Sequence, residues 1–184
     1  HPDINRSMGK SVIEDEAIRL GFSHVKGIGE SNAAIILRQR AVSGGYLSVE
    51  NFMERTGLQL AGLENLVDAG AFDSMNSHRR DIRWEMGLRY RPVNRQISLS
   101  LPIKQDMVDL PKQTEWEEMV NEYKTMGIYP RSHIMTFFRP QLRGTMTSMD
   151  MPFLEEGAEV WVGGVLIRKQ RPLGRSVFIT LEDE

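Results

Sequence analysis

Apolar residues recur at helical spacing through most of the first ninety positions and alternate, strand-like, only near the end of the chain. Ala17-Ile18-Arg19-Leu20 reads as a short strand, Gly21 to Val25 as one helical turn, and Lys26-Gly27-Ile28-Gly29 as a tight turn. From Glu30 to Arg40 the spacing predicts a helix with Ala33, Ile36, Leu37 and Ala41 as its buried stripe, ended by Gly44-Gly45. Ser48 is placed to cap a second helix whose inward residues are Val49, Phe52 and Met53. Leu60, Leu63, Leu66 and Val67 mark a third, ended by Gly70. After Ala71-Phe72-Asp73-Ser74-Met75-Asn76, Ser77 is placed to cap a fourth that runs to about Tyr90.

Arg91 to Pro111 contains three prolines and no helical period, which predicts an extended connector. Thr114 and Glu117 then have capping-box spacing ahead of a helix with Trp116, Met119, Val120, Tyr123 and Met126 on its apolar face and Gly127 at its stop. A short helix over Ser132 to Phe138 and an irregular Met-rich stretch follow. Two strands, Glu159 to Ile167 and Ser176 to Leu181, flank the turn Arg171-Pro172-Leu173-Gly174-Arg175. Two strands cannot bury a face alone. A five-stranded Greek-key barrel opening with this hairpin, kinked at Gly163-Gly164, is the expected completion.

The expected fold class is therefore α+β: a tandem helix-hairpin-helix helical domain followed by a truncated oligonucleotide-binding β-barrel. Its expected parts are a polar leading segment (1–16), the hairpin domain (17–91), an extended linker (92–113), a helical connector (114–150) and the first barrel strands (151–184). The chain starts at His1 and ends on a strand-like segment with nothing further to pair with, so both ends read as cuts.

Charge changes this picture more than composition does. The net charge of −2 argues against a nucleic-acid binder, but the charges are segregated. Residues 78–95 hold six arginines (Arg79, Arg80, Arg83, Arg89, Arg91, Arg95) against Asp81 and Glu85; Arg131, Arg139 and Arg143 form a second cluster, and Arg168, Lys169, Arg171 and Arg175 a third. Residues 105–126 are the acidic counterweight. Each basic cluster is either a solvated face or a contact surface. The absence of cysteine excludes a disulfide framework and a thiolate metal site. The four scattered histidines, with Asp3, Asp15, Asp150, Glu155 and Glu156, make no metal or catalytic set. No apolar run approaches a membrane span, so a cytoplasmic protein without membrane contact is expected.

The sharpest local chemistry is Val25-Lys26-Gly27-Ile28-Gly29-Glu30, an apolar-Gly-apolar-Gly turn between two short helices. Glycine lets the backbone take positive φ and approach a ligand closely. The amides of Gly27, Gly29 and the first helical turn then converge at the positive end of the helix, an anion site suited to a DNA phosphate. Ile28 anchors the turn and Lys26 adds charge. Such a site gives affinity without sequence specificity. A second, degenerate unit repeats the layout over Leu60 to Ala69, Gly70-Ala71-Phe72-Asp73 and the arginine-rich helix. Its single glycine leaves a structural partner and a phosphate contact equally open, with Arg79, Arg80 and Arg83 as alternative contacts.

These residues resemble the bacterial C-family DNA polymerases, collinearly over nearly the whole chain. Ile18-Arg19-Leu20-Gly21 with the double-glycine turn looks like that family's first hairpin, and Leu66-Val67-Asp68-Ala69-Gly70-Ala71-Phe72-Asp73-Ser74 like its second. Glu122-Tyr123-Lys124-Thr125-Met126-Gly127, His133-Ile134-Met135, Leu142, and Arg168-Lys169-Gln170-Arg171-Pro172 with Thr180-Leu181-Glu182-Asp183-Glu184 are similar to the error-prone branch, the replicative alpha subunit being the runner-up. The resemblance implies damage-tolerant DNA synthesis by a parent nucleotidyltransferase whose palm aspartates hold Mg²⁺. Those aspartates are not in this chain, which is expected to need no cofactor and to bind primer-template DNA without extending it.

The expected DNA-binding residues are Lys26, Gly27, Ile28, Gly29, Arg79, Arg80 and Arg83, with Arg168, Lys169 and Arg171 contacting single-stranded template at the barrel. The resemblance also places a sliding-clamp peptide in the linker, at Gln96, Leu99 and Leu101, against the alternative that these leucines pack onto the helix around Trp116. Two other classes remain as alternatives: a helix-hairpin-helix base-excision enzyme, for which Lys26 and Asp73 are the candidate residues, and a protein-interaction scaffold.

Overall fold

The helices fall close to where the apolar spacing puts them. In the computed structural model, which describes residues 1–76, 78–90, 110–172 and 176–184, α1 spans Glu30–Ser43, α2 Val49–Thr56, α3 Leu60–Asp68, α4 Arg79–Arg89 and α5 Glu115–Met126. Ser48 caps α2 by accepting from the Asn51 N–H, and Thr114 with Glu117 closes the full capping box on α5. The α4 N-cap position is held by His78; Ser77 lies outside the described residues.

Two compact units result, His1–Ile128 and Tyr129–Glu184. In the first, Phe22, Ile28, Ile36, Phe52, Leu63, Leu66, Phe72, Ile82 and Met86 form a shared core. Tyr46, Phe52 and Phe72 stack edge to face through it, with ring centroids 4.7 and 5.1 Å apart. Ahead of α1 in the chain, strands β1 (Val12–Glu14) and β2 (Ala17–Arg19) pair antiparallel, and Phe22–His24 makes the expected single helical turn.

Four expectations are corrected here. The polar leading segment is no mere approach to the fold: Ile4 is fully buried and its N–H donates to the Ala71 carbonyl at 3.0 Å. Ala41 is exposed, because Arg40 turns to the core edge instead and donates to the Ile4 carbonyl. Trp116 is exposed too, and the buried face of α5 is Met119, Glu122, Thr125 and Met126. That helix, assigned by sequence to a connector, packs on α3 within the first unit.

The second unit is built differently. Helix α6 is short (Met135–Phe138) and continues as a tighter turn over Arg139–Gln141. Arg139 ties the unit together, donating to Glu184 at 2.6 and 2.8 Å and to the Thr145 hydroxyl at 3.1 Å. Strands β3 (Val165–Gln170) and β4 (Phe178–Glu182) form an antiparallel ribbon with a bulge between Leu166 and Arg168. Strand β3 begins six residues later than the strand expected from Glu159, past Gly163-Gly164; a Cβ at Gly164 would sit 2.9 Å from the Glu182 carbonyl oxygen. Among the described residues the sheets are two-stranded, and a barrel is not formed.

Candidate nucleic-acid interface

Residues 25–29 alternate between core and solvent. Val25 and Ile28 are buried, whereas Lys26, Gly27 and Gly29 are exposed. Gly27 has φ of +78°, so the turn requires a residue without a Cβ there. Gly29 is the N-cap of α1 with φ of −66°, a conformation open to any residue, and a Cβ on it would meet nothing within 4 Å. Neither backbone strain nor internal crowding therefore calls for glycine at position 29. Directly behind it, the N–H groups of Gly27, Gly29, Glu30 and Ser31 find no acceptor among the described residues. The N-terminus of a 14-residue helix adds its partial positive charge to this row of free donors.

The turn is clamped through the backbone of one residue. The Lys26 N–H donates to the Thr125 carbonyl of α5 at 2.8 Å, and the Lys26 carbonyl accepts from Asn65 Nδ2 of α3 at 2.8 Å. The Asn32 side chain donates to the Gly27 carbonyl at 3.2 Å. The Lys26 and Gly27 carbonyls are thus taken up by side-chain donors, and the amides of Gly27 and Gly29 remain without acceptors among the described residues.

The second hairpin begins as a copy and ends as its opposite. Gly70 has φ of +77°, and Ala71, like Ile28, is buried. At the position matching Gly29 stands Phe72, fully buried against Phe52. The N–H groups of Gly70, Ala71 and Asp73 donate internally, to Val67, Leu66 and Gly70 at 2.9, 2.9 and 3.1 Å. No helix starts at this turn, α4 opening only at Arg79.

Arg79 covers it. The guanidinium, 2% exposed, donates to both oxygens of Asp73 at 2.9 and 2.6 Å, to the Asp68 carbonyl at 3.2 Å, and pairs with Glu122 at 2.8 Å. A Cβ on Gly70 would lie 2.4 Å from its Nη2. Burial pulls the Arg79 pKa down, but hydrogen bonding to Asp73 and the charges of Asp73 and Glu122 outweigh it and raise it above its ordinary value. The expectation that Arg79, Arg80 and Arg83 share one DNA-facing surface is corrected: Arg79 points inward, its charge consumed by two carboxylates.

Arg80 and Arg83 do reach the surface, each with a partner. Arg80 pairs with Glu117 at 2.7 Å and donates to the Pro111 carbonyl; Arg83 pairs with Asp68 at 2.8 Å. The Thr114 N–H, with lesser contributions from its hydroxyl and from Arg80, holds the Glu117 carboxyl below the usual range. In the second unit, Arg168, Lys169 and Arg171 are exposed, Arg168 and Lys169 on opposite faces of β3. Gln96, Leu99 and Leu101 lie outside the described residues. No helix among the described residues is long and apolar enough to cross a membrane.

Sequence reasoning missed Asn65, Thr125 and Glu122. The last had a signal: an acid at i+3 from Met119 and i−4 from Met126 sits inside an apolar stripe, where a charge requires a buried partner.

Residues 1–82 match the helix-hairpin-helix motif family. The whole chain is similar to error-prone DNA polymerases. It is 35% identical to that of Pseudomonas fluorescens, with 93% of this chain and 17% of the relative covered. With that of Ruegeria pomeroyi the identity is 35%, over 91% of this chain and 16% of the relative. With that of Mesorhizobium japonicum it is 30%, over 95% and 16%. The chain spans about a sixth of the length of these relatives.

Proposed function

Because this chain is related, over nearly all of its own length, to a segment of the error-prone DNA polymerases, we propose that it is a DNA-binding region holding primer-template duplex by its phosphates. One observation carries the reading. The outward N–H groups of Gly27, Gly29 and Glu30 are free at the start of α1, beside the exposed Lys26, under a glycine with open space in front of it. A phosphate oxygen satisfies such donors; a base edge, with its mixed donors and acceptors, does not. Sequence-independent binding suits an enzyme that must work at any site. The match to the helix-hairpin-helix motif family supports the same assignment independently of the geometry.

Several finer readings belong to the same proposal. The parent chain is a nucleotidyltransferase that uses Mg²⁺ in damage-tolerant synthesis and repair, working in the cytoplasm, and this segment contributes grip and not chemistry. The β3–β4 ribbon opens an oligonucleotide-binding barrel, where Arg168, Lys169 and Arg171 meet the template. Gln96, Leu99 and Leu101 dock on a sliding clamp. Arg80 and Arg83 exchange their carboxylate partners for DNA phosphates on binding. Arg79 is withdrawn from the contact set, since exposing it would strand the buried Glu122.

A salt titration of duplex binding tests the proposal. The logarithm of the affinity should fall linearly with the logarithm of salt concentration, at about 0.9 per phosphate engaged. A protein-interaction scaffold would show no such duplex affinity at any salt concentration. A base-excision enzyme would release a damaged base, and this chain should leave such a substrate intact.

A further inference from the structure

Glu122 is the one carboxylate among the described residues that is completely buried, and its hydrogen-bond partners are not on the first hairpin. Its Oε1 accepts from Arg79 Nη1 at 2.8 Å and from His1 Nε2 at 2.9 Å, while its Oε2 has no partner. Burying a charge on these terms is costly and demands a close counterion. Arg79 supplies it, and the same guanidinium is held by Asp73 and the Asp68 carbonyl of the second hairpin. A single side chain thereby fastens α5 to the second hairpin.

The same last turn of α5 holds the first. Thr125, three residues on from Glu122, donates its hydroxyl to the Asn121 carbonyl and offers its own carbonyl to the Lys26 N–H. Asn65 of α3 grips the next peptide unit, through the Lys26 carbonyl. The Lys26 backbone is therefore suspended between α3 and α5, and the distance between these helices sets how the following amides are aimed. Free donors converge on a phosphate only if that backbone is held still.

From this arrangement we infer that Glu122 is a positioning residue for the phosphate site: paired with Arg79, it seats α5 so that the Thr125 carbonyl fixes the Lys26 peptide and orients the amides of Gly27 and Gly29. The second hairpin then serves DNA binding without touching DNA. It is the anchor to which the first is tied. This inference rests on the phosphate-binding reading of the first hairpin, and its test separates the two.

The experiment uses the whole chain and a short labelled DNA duplex, with amide hydrogen exchange at Lys26 as the second readout. Glu122→Gln keeps the shape but removes the charge that holds Arg79. It should accelerate exchange at Lys26 and weaken duplex affinity about tenfold. The dependence on salt should keep its wild-type slope, because no phosphate contact is removed. A general loss of charge complementarity would instead change the slope. Should Glu122→Gln fail to fold, the pair Arg79→Met with Glu122→Met carries the test, since an apolar pair can replace a buried ion pair without loss of packing. That double variant should return both Lys26 protection and duplex affinity to near the wild-type values.

Wild-type affinity in Glu122→Gln, unchanged exchange at Lys26, or a double variant that packs normally yet binds well below the wild type overturns the inference. Gly29→Asp, measured alongside, tests the underlying reading. If it binds like the wild type, the hairpin reading itself is wrong; if it fails to bind while Glu122→Gln binds fully, only the positioning role is lost.

Discussion

Gly27 and Gly70 occupy the same left-handed turn in two successive hairpins, at φ of +78° and +77°, yet what lies beyond each glycine is opposite in kind. Past Gly27 the chain exposes a second glycine, starts a helix at once and leaves its donors open to solvent. Past Gly70 it buries Phe72, spends its donors on internal carbonyls and places a guanidinium over the turn. A glycine in a hairpin thus has two distinct uses. One leaves the turn open to solvent, and the other admits the protein's own side chain. The motif alone does not separate them; the residue two positions on does.

The largest effect that should sharpen this contrast is on the closed hairpin. Arg79→Ala strands Glu122 and should cost about 3–5 kcal/mol in urea denaturation. A loss below about 1 kcal/mol would mean that the guanidinium does not hold the second hairpin. Next come the paired substitutions Gly70→Ala and Gly27→Ala. Both incur left-handed strain of about 1–2 kcal/mol, but only the first drives a methyl into Arg79, so it should be the more damaging by at least about 1 kcal/mol. Equal losses would remove the distinction between a covered and an open turn.

Gly29→Asp reverses the pattern, striking binding and sparing the fold. Aspartate is a favoured N-cap, so thermal stability should hold or rise by a few tenths of a kcal/mol. Its carboxylate would occupy the donors meant for phosphate and repel the duplex, lowering affinity at least about tenfold in a fluorescence anisotropy titration. Undiminished binding would place the phosphate elsewhere. The smallest effect is expected of Arg80→Ala with Arg83→Ala: each loses a surface ion pair worth about 1 kcal/mol or less. If both arginines swap to phosphates on binding, the salt slope should drop by about 0.9 for each. An identical slope returns them to a solvated face.

The helical half of the fold was legible because it is written in local terms. Ser48, Thr114 with Glu117, Gly44 and Gly127 mark helix ends by chemistry that acts within a turn, and each does so in the structure. Ile28 and Gly27 were legible in the same way. Arg79 was not, because its fate depends on Glu122, more than forty positions away, and spacing along a helix says nothing of a distant carboxylate. Ile4 was hidden for a similar reason, as a lone apolar residue in a polar segment whose partner strand of chain is at Ala71. The expected strand from Glu159 failed locally: Gly163-Gly164 give it no side chains to pair, and the ladder starts after them.

The central claim is that the first hairpin receives a phosphate and the second does not. Backbone amide chemical shifts, followed while a short DNA duplex is titrated into the whole chain, address it directly. The amides of Gly27, Gly29 and Glu30 should move with saturating, salt-sensitive shifts, while those of Gly70, Ala71 and Asp73 stay in place. Equal movement at both turns, or movement at the second with silence at the first, would contradict the account.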